Sequence, residues 1–470
     1  MDEHIIILGG GISGLSAGHE LVSRGFKVTI LETSGQVGGL AGTVREGPYF
    51  LDYGPHSFFS DDTEIRDLVL NLFDPPPQAK PRSSRFLFQG RYLDYPLTAA
   101  GVLFQMGPGA GLKAAWSFIS NNFFSRQKKS GMNQEMTVEE WAVSNFGPYL
   151  YQTFFKPYTE QFWKIPASQL SSNSIPSSTR TGFIQALKLL LTQKNTWKNP
   201  TQIERETLPT YYPASGYGEI PEQMAARFVQ KSGSLKTSCR VTQIQRLSNQ
   251  YEVHYLGPEG TGKIQGSHVI STLPLCLLMP MIHPRPAKDI IASAGALDYR
   301  PLVNLGMVLE RQQVLPCAYF YTLDRPYNRL SEMNQFSSFT SPEHQNIIAA
   351  EIPCLRDETL WNASKEALFD RCIDSLEKDS ILKRHEVKQL ILAKAAYAYP
   401  IYRTGYKKHL ERVMNFIKDS PKFYTLGRSG EFRYMDLDQC VRRAIDLSRK
   451  IISELSSQAP LQEEIISYRS

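Results

Sequence analysis

The chain contains no uninterrupted apolar run near the roughly 18 residues that span a bilayer, so no membrane-crossing helix is expected. It has no C-x-x-C pair. Its six cysteines, at 239, 276, 317, 354, 372 and 440, are too scattered for a disulfide frame or a zinc site. They read as reduced core thiols, and no metal centre is expected. There is no arginine-rich arm either: 52 basic residues stand against 46 acidic ones, a net charge of +6 spread over 470 residues. Nucleic acid is therefore not an expected partner. The mild basic excess suits an anionic substrate or a membrane surface and selects neither. The N-terminus enters an apolar strand at once, with no basic and apolar leader, which points to a cytoplasmic protein. What remains is an ordinary globular balance, 41% hydrophobic and 21% charged, in a length that suits two or three domains.

The stretch that organises the rest is Ile5 to Thr43. An apolar run, Ile5-Ile6-Ile7-Leu8, leads into Gly9-Gly10-Gly11-Ile12-Ser13-Gly14, a segment with helical spacing to Arg24, a second apolar run at Val28 to Leu31, and Glu32. Gly9, Gly11 and Gly14 stand in the G-x-G-x-x-G register. Gly9 makes the tight turn, Gly11 lets a pyrophosphate approach the backbone, and Gly14 lets the helix pack close to the strand. The helix N-terminus then faces the phosphates. Glu32 stands where a carboxylate accepts the ribose hydroxyls of an unphosphorylated adenosine. No second G-x-G-x-x-G follows, so a dedicated nicotinamide domain is not expected.

After Glu32 come Gly38-Gly39-Leu40-Ala41-Gly42-Thr43. The pattern E-x-x-x-x-x-G-G-x-x-x-T behind a dinucleotide turn resembles the FAD signature of the amine oxidase and protoporphyrinogen oxidase superfamily. That superfamily also holds phytoene desaturases and UDP-galactopyranose mutases. Amine oxidases usually carry Arg where this chain has Leu40. The resemblance assigns Gly9, Gly11, Ser13, Gly14, Glu32, Gly38, Gly39 and Leu40 to FAD. It also implies that Gly54-Pro55-His56 lies beside the flavin ring, with His56 a candidate for proton transfer. Gly-Pro before histidine makes a fixed turn with little bulk, which can bring backbone against a flat ring.

Further along, the pattern predicts a helix over 64–73, a hairpin turning at Gln89-Gly90, and a capping box at Thr137 that starts a helix. Residues 101–124 are apolar and end in Arg126, Lys128 and Lys129. Pro108 and four glycines interrupt them, so packing onto a second domain is the favoured use and weak peripheral contact with a membrane the other. Phe154 to Trp163 form a dense aromatic run similar to a segment of the mutases, in which the counterparts of Tyr158 and Trp163 lie at the uridine site. A stripe of aromatic core would give the same pattern. The mutase arginine that grips a diphosphate is displaced here by two positions, to Arg180. Arg300, Arg325 and Arg329 are further candidates to meet an anion.

A helix over 219–230, strands over 235–247, 251–256 and 268–272, and further strands near 303–309, 319–323 and 347–352 are expected, with a helix over 364–376. The resemblance puts Val241 at the adenine. Tyr397 to Tyr402 read as extended, and Tyr402 is a substrate-side candidate. Gly427-Arg428-Ser429-Gly430, Tyr434 and Asp438, spaced Gly-Arg-x-Gly-x-x-x-Tyr-x-x-x-Asp with Asp436 between, lead into a helix with Val441, Ile445, Ile452 and Leu455 on one face. This pattern is very like the C-terminal flavin motif of the mutases and their relatives. It implies roles for Gly427, Arg428, Asp436 and Leu437 at the cofactor, Arg428 also in catalysis. Residues after Ser456 read as a polar tail.

The whole is expected to be α/β: a Rossmann-like FAD-binding domain of the glutathione reductase type, built from 1–60, 216–275 and 395–470. An α+β substrate domain, 61–215 and 276–394, is inserted into it. The resemblance implies an FAD-dependent oxidoreductase acting on a small molecule, with a sugar-nucleotide mutase as the alternative.

Overall fold

The computed structural model describes residues 3–94 apart from 82 and 89, isolated positions between 109 and 120, residues 135–175 and residues 208–457. The 101–129 segment, Arg180, the 89–90 turn and the tail after 457 thus fall wholly or largely outside the described residues.

Ile5, Ile6, Ile7 and Leu8 are all fully buried, as expected of a strand covered on both faces. The strand His4–Leu8 is the centre of a five-stranded sheet, in the order Phe423–Thr425, His268–Ser271, His4–Leu8, Lys27–Leu31 and Ser234–Lys236. All four pairings are parallel. The chain leaves His4–Leu8 for the strand on one side and meets a distant stretch on the other, which makes its C-terminal end a topological switch point. The helices Ile12–Val22, Glu219–Gln230 and Leu437–Ser457 cover one face, through residues such as Leu15, Leu21, Met224, Phe228, Val441 and Ile445.

The expected single strand over 235–247 is two strands. Ser234–Lys236 belongs to the parallel sheet, and Arg240–Arg246 to a four-stranded sheet with Tyr251–Gly257, Gly260–Gly266 and Ile282–His283. Ser238, at φ +54°, makes the break. Its amide and that of Cys239 donate to the carbonyls of Ser34 and Glu32, so the chain wraps the end of the second strand.

A seven-stranded mixed sheet runs Val387–Pro400, Tyr299–Leu309, Asn346–Ile352, Arg329–Glu332, Tyr319–Thr322, Ser84–Phe88 and Arg91–Asp94. Every residue of Tyr299–Leu309 is buried. Asn304 Nδ2 donates to the carbonyl of Asp52 at 2.9 Å, which joins this sheet to the Tyr49–Asp52 hairpin strand. Residues 395–400 remain paired in this sheet.

The capping box forms as read: Thr137 Oγ1 accepts from the Glu140 amide at 3.1 Å, and Glu140 Oε2 accepts from the Thr137 amide at 2.9 Å. The helix Val138–Leu150 continues through a π turn at Tyr151–Phe155 into the helix Lys156–Trp163, which carries the aromatic run.

Candidate active site

The glycines of the first turn do different work. Gly9 has φ +105°, and a methyl group on it would lie 2.1 Å from Thr272 Oγ1. A methyl group on Gly14 would lie 2.1 Å from the Gly9 carbonyl oxygen, so helix and strand touch there. Gly11 is open: the nearest atoms to such a group are Gly38 O at 3.8 Å and Gly39 Cα at 4.0 Å. This space beside the N-terminus of Ile12–Val22 fits a pyrophosphate, which would lie between two glycine-rich backbones and the helix. Gly38 and Gly39 border it directly, through a bridge between Gly11 and Gly38. The Glu32 carboxylate accepts from the Gly10 amide at 2.6 Å and the Ser34 amide at 2.8 Å, which fixes it at the mouth of the turn. Val241 is buried among Leu8, Leu31 and Val253, beyond the same strand ends, and Leu40 packs with Tyr53.

The C-terminal motif meets the same turn. A methyl group on Gly427, at φ +83°, would lie 2.5 Å from Ser13 Oγ. The guanidinium of Arg428 donates through Nε and Nη2 to the Met435 carbonyl, at 3.0 and 2.5 Å. Asp436 and Leu437 lead into the helix Leu437–Ser457, where the Asp436 carbonyl accepts from the Cys440 amide at 3.0 Å.

The Gly54-Pro55-His56 turn abuts a buried ion cluster. A methyl group on Gly54 would lie 3.2 Å from Arg329 Nη2 and 3.7 Å from Glu351 Oε2. Glu351 is 1% exposed and accepts from both Arg329, at Nε 2.9 Å away, and Arg300, at Nη2 3.2 Å away. Burial raises its carboxyl pKa, but the two guanidiniums outweigh burial and hold it below the usual range. Arg300 is fully buried, and its Nε and Nη1 have no hydrogen-bond partner among the described residues. Its guanidinium lies 4.1 Å from the Phe162 ring centre and 4.6 Å from that of Tyr399. Arg428 lies 5.7 Å from Tyr399 and 4.6 Å from Tyr434, and these two tyrosines are parallel to within 8°. Three guanidiniums thus converge around Tyr399 and His56; Glu351 balances Arg300 and Arg329, and the carboxylate of Asp436 acts on Arg428. Burial, and then Arg329 and Arg428, lower the His56 pKa to about 3, so its imidazole is neutral. Its Nδ1 is buried with no partner among the described residues.

The sequence-predicted residues are distributed unevenly. Tyr158 stands at the cluster, stacked near Phe162 at 6.3 Å, with its phenol pushed up to about 12 by burial. Trp163 is in the apolar core with Val138 and Trp141. Tyr402 packs on Tyr406 and Phe432, and its hydroxyl accepts from the Tyr434 amide at 2.8 Å. Arg325 is held by Asp379 through two bonds of 2.7 Å, away from Glu351. Glu351 and Tyr399 were not singled out from the sequence, and Tyr434 entered only as part of the C-terminal motif. The only signal was a lone acid in an otherwise apolar strand, Ile347 to Ile352, and the aromatic spacing around Pro400. Among the described residues no group of three or more His, Cys, Asp or Glu could hold a metal, and no helix is long and apolar enough to cross a membrane.

The chain is 20% identical over 462 residues to the "Probable UDP-galactopyranose mutase" of Klebsiella pneumoniae, covering 97% of each. It is 23% identical over 329 residues to the chloroplastic protoporphyrinogen oxidase of Nicotiana tabacum, covering 66% of this chain and 57% of that one. The crystal structure of a reduced UDP-galactopyranose mutase superposes with a TM-score of 0.81 at 16% identity, over 97% of this chain and 94% of that one, which establishes a shared fold. With the family model "Flavin containing amine oxidoreductase" matched from residue 12 to residue 429, the chain belongs to that family, and FAD is its cofactor.

Proposed function

We propose that this FAD-dependent enzyme is an oxidoreductase that takes two electrons from a small organic anion. The observation behind this reading is the surplus of guanidinium charge at Arg300, Arg329 and Arg428, set among Tyr158, Phe162, Tyr399 and Tyr434. A buried cation with free donors favours a carboxylate or phosphate that fills them.

In this reading Gly9, Gly11, Ser13, Gly14, Glu32, Gly38, Gly39 and Leu40 hold the ribose and pyrophosphate, and Val241 borders the adenine. Gly54, Pro55, His56, Gly427, Arg428, Asp436 and Leu437 line the flavin end. Bound FAD supplies the two-electron acceptor. Arg300 and Arg329 orient the anion. Tyr158 and Tyr399 give it a flat apolar wall, and Trp163 and Tyr402 brace that wall from behind. His56, being neutral, acts through its position and its free Nδ1, not as an imidazolium acid. The division into a discontinuous cofactor domain and an inserted substrate domain agrees with a parallel sheet drawn from residues 4–31, 234–271 and 423–425.

The second reading, a sugar-nucleotide mutase, is favoured by likeness to a mutase over nearly the whole chain. Anaerobic mixing of holoprotein with amino acids, porphyrinogens, polyenes, sugar nucleotides and NAD(P)H separates the two. Bleaching of the flavin band by a carboxylate-bearing substrate supports the oxidoreductase. Isomerisation of a UDP-sugar by pre-reduced enzyme with no net redox change selects the mutase.

A further inference from the structure

Asp52 is 0% exposed and has no guanidinium or ammonium partner among its hydrogen bonds. Its carboxylate instead takes three donors from two separate stretches of chain. Oδ1 accepts from Thr43 Oγ1 at 2.5 Å and from the Tyr217 amide at 3.1 Å, and Oδ2 accepts from the Tyr212 hydroxyl at 2.7 Å. Thr43 Oγ1 in turn accepts from the Gly218 amide at 2.7 Å. Methyl groups on Gly216 and Gly218 would lie 2.7 Å from the Thr43 side chain and 2.5 Å from its amide nitrogen. The two stretches are therefore pressed together at Thr43. Thr43 closes the loop that begins at Gly38, and Gly38 is bridged to Gly11.

We propose that Asp52 is the positioning residue of the cofactor cradle: through Thr43 it clamps the 38–43 loop at the distance from Gly11 that the pyrophosphate needs. The proposal rests on the reading that Gly11, Gly38 and Gly39 hold that group. Other charges also face this knot. Arg45, engaged by Glu222 through two bonds, acts on the Asp52 carboxylate without bonding it, and Asp436, Asp438 and His56 border Tyr217.

The ionised state of Asp52 is not what the fold alone favours. Burial raises its carboxyl pKa to about 6, more than the three donors and Arg45 lower it. A neutral amide of the same shape therefore relieves the apoprotein of a buried charge and presents a donor where the site supplies donors. A residue that only held the fold together would show the reverse: its loss would lower stability and spare cofactor affinity once folded. Thr43 supplies the second handle, because Thr43→Val keeps the shape and removes the relay.

The test is a double-mutant cycle on the FAD dissociation constant, measured by flavin fluorescence on apoprotein at pH 7.5, with apoprotein melting read in parallel. Asp52→Asn and Thr43→Val are each expected to weaken FAD roughly tenfold, the scale of one charge-assisted hydrogen bond. The double variant should be little weaker than either single, and Asp52→Glu should recover part of the affinity. Asp52→Asn should melt no lower than wild type. Strictly additive losses, or wild-type affinity in folded Asp52→Asn, overturn the proposal. Gly11→Val is the control for the reading beneath it. If that variant keeps FAD, the cradle itself is misplaced. If it loses FAD while Asp52→Asn does not, the Asp52 role alone fails.

Discussion

Gly14 sits so close beneath Gly9 that a single added methyl group would come within 2.1 Å of the Gly9 carbonyl oxygen. The contact is backbone to backbone, and no side chain can turn aside to relieve it. Gly14→Ala must push the helix Ile12–Val22 off its strand, a strain on the order of 1–3 kcal/mol. The variant is expected to melt lower than wild type even without FAD, as read by scanning calorimetry of the apoprotein, and to retain little flavin.

Gly11 gives the opposite pattern. Its backbone, at φ −74° and ψ 173°, suits any residue, and its nearest neighbours are 3.8 Å or more from an added carbon. Gly11→Val is expected to leave apoprotein melting within about 0.5 kcal/mol of wild type and to abolish the yellow colour. Equal losses of stability in the two variants would mean that Gly11 also serves only the packing of the turn.

His56 fixes a sign in the acid range. Its folded pKa lies at about 3, below the usual histidine value. The unfolded chain therefore takes up a proton that the folded chain refuses, so stability falls as pH drops through 6.5 towards 3. Imidazole nitrogen shifts of labelled His56 should report a neutral ring at pH 5. A ring that titrates near 6.5 would return the imidazolium to the list of proton donors.

Asp52 slopes the other way. Its folded carboxyl keeps a proton up to about pH 6, beyond the unfolded value near 4. The apoprotein thus loses stability as pH rises from 4 through 6, by about 3 kcal/mol in all. Comparing apoprotein melting of wild type and Asp52→Asn at pH 4.5 and 7.5 isolates the contribution. The gap should favour the variant more at the higher pH.

Arg300 bears on the substrate. Glu351 stays bonded to Arg329 in Arg300→Met, which removes one of the two guanidiniums that share this single carboxylate, and the apoprotein is expected to melt no lower. Sulfate should raise the melting temperature of wild type and do so far less in the variant. Equal protection of both proteins would place the anion elsewhere.

The turn proposed to hold the cofactor was legible as structure because its geometry is short-range. Gly9, Gly11, Gly14 and Glu32 fall within one strand, turn, helix and strand, and their spacing carries the geometry. Gly427 and Arg428 were legible through a motif of the same local kind. The cluster proposed to meet the substrate was not, because it is made by pairing across a sheet. Arg329 reaches Glu351 only through the antiparallel register of two strands, and Tyr399 and Tyr434, 35 positions apart, lie parallel only in the folded chain. Trp163 was read at the substrate because aromatic runs of core and pocket look alike in sequence. The break at Ser238 was missed because both resulting strands continue one β-rich pattern, and only the carbonyls of Glu32 and Ser34 divide it.

The order of the parallel sheet also governs how the chain comes into being. The neighbour of His4–Leu8 on one side starts at residue 268, and the strand beyond that at residue 423. At about 5–20 residues per second, the sheet closes roughly 20 to 85 s after His4–Leu8 is made. Until residue 271 is made, roughly 13 to 53 s after that strand at the same rate, Ile5 to Leu8 lack a neighbour on that edge, a sticky surface that a nascent chain must keep covered. The Gly427–Arg428 wall arrives later still, against Ser13. If Gly427 and Arg428 wall the cofactor as proposed, flavin capture waits until that stretch has been made.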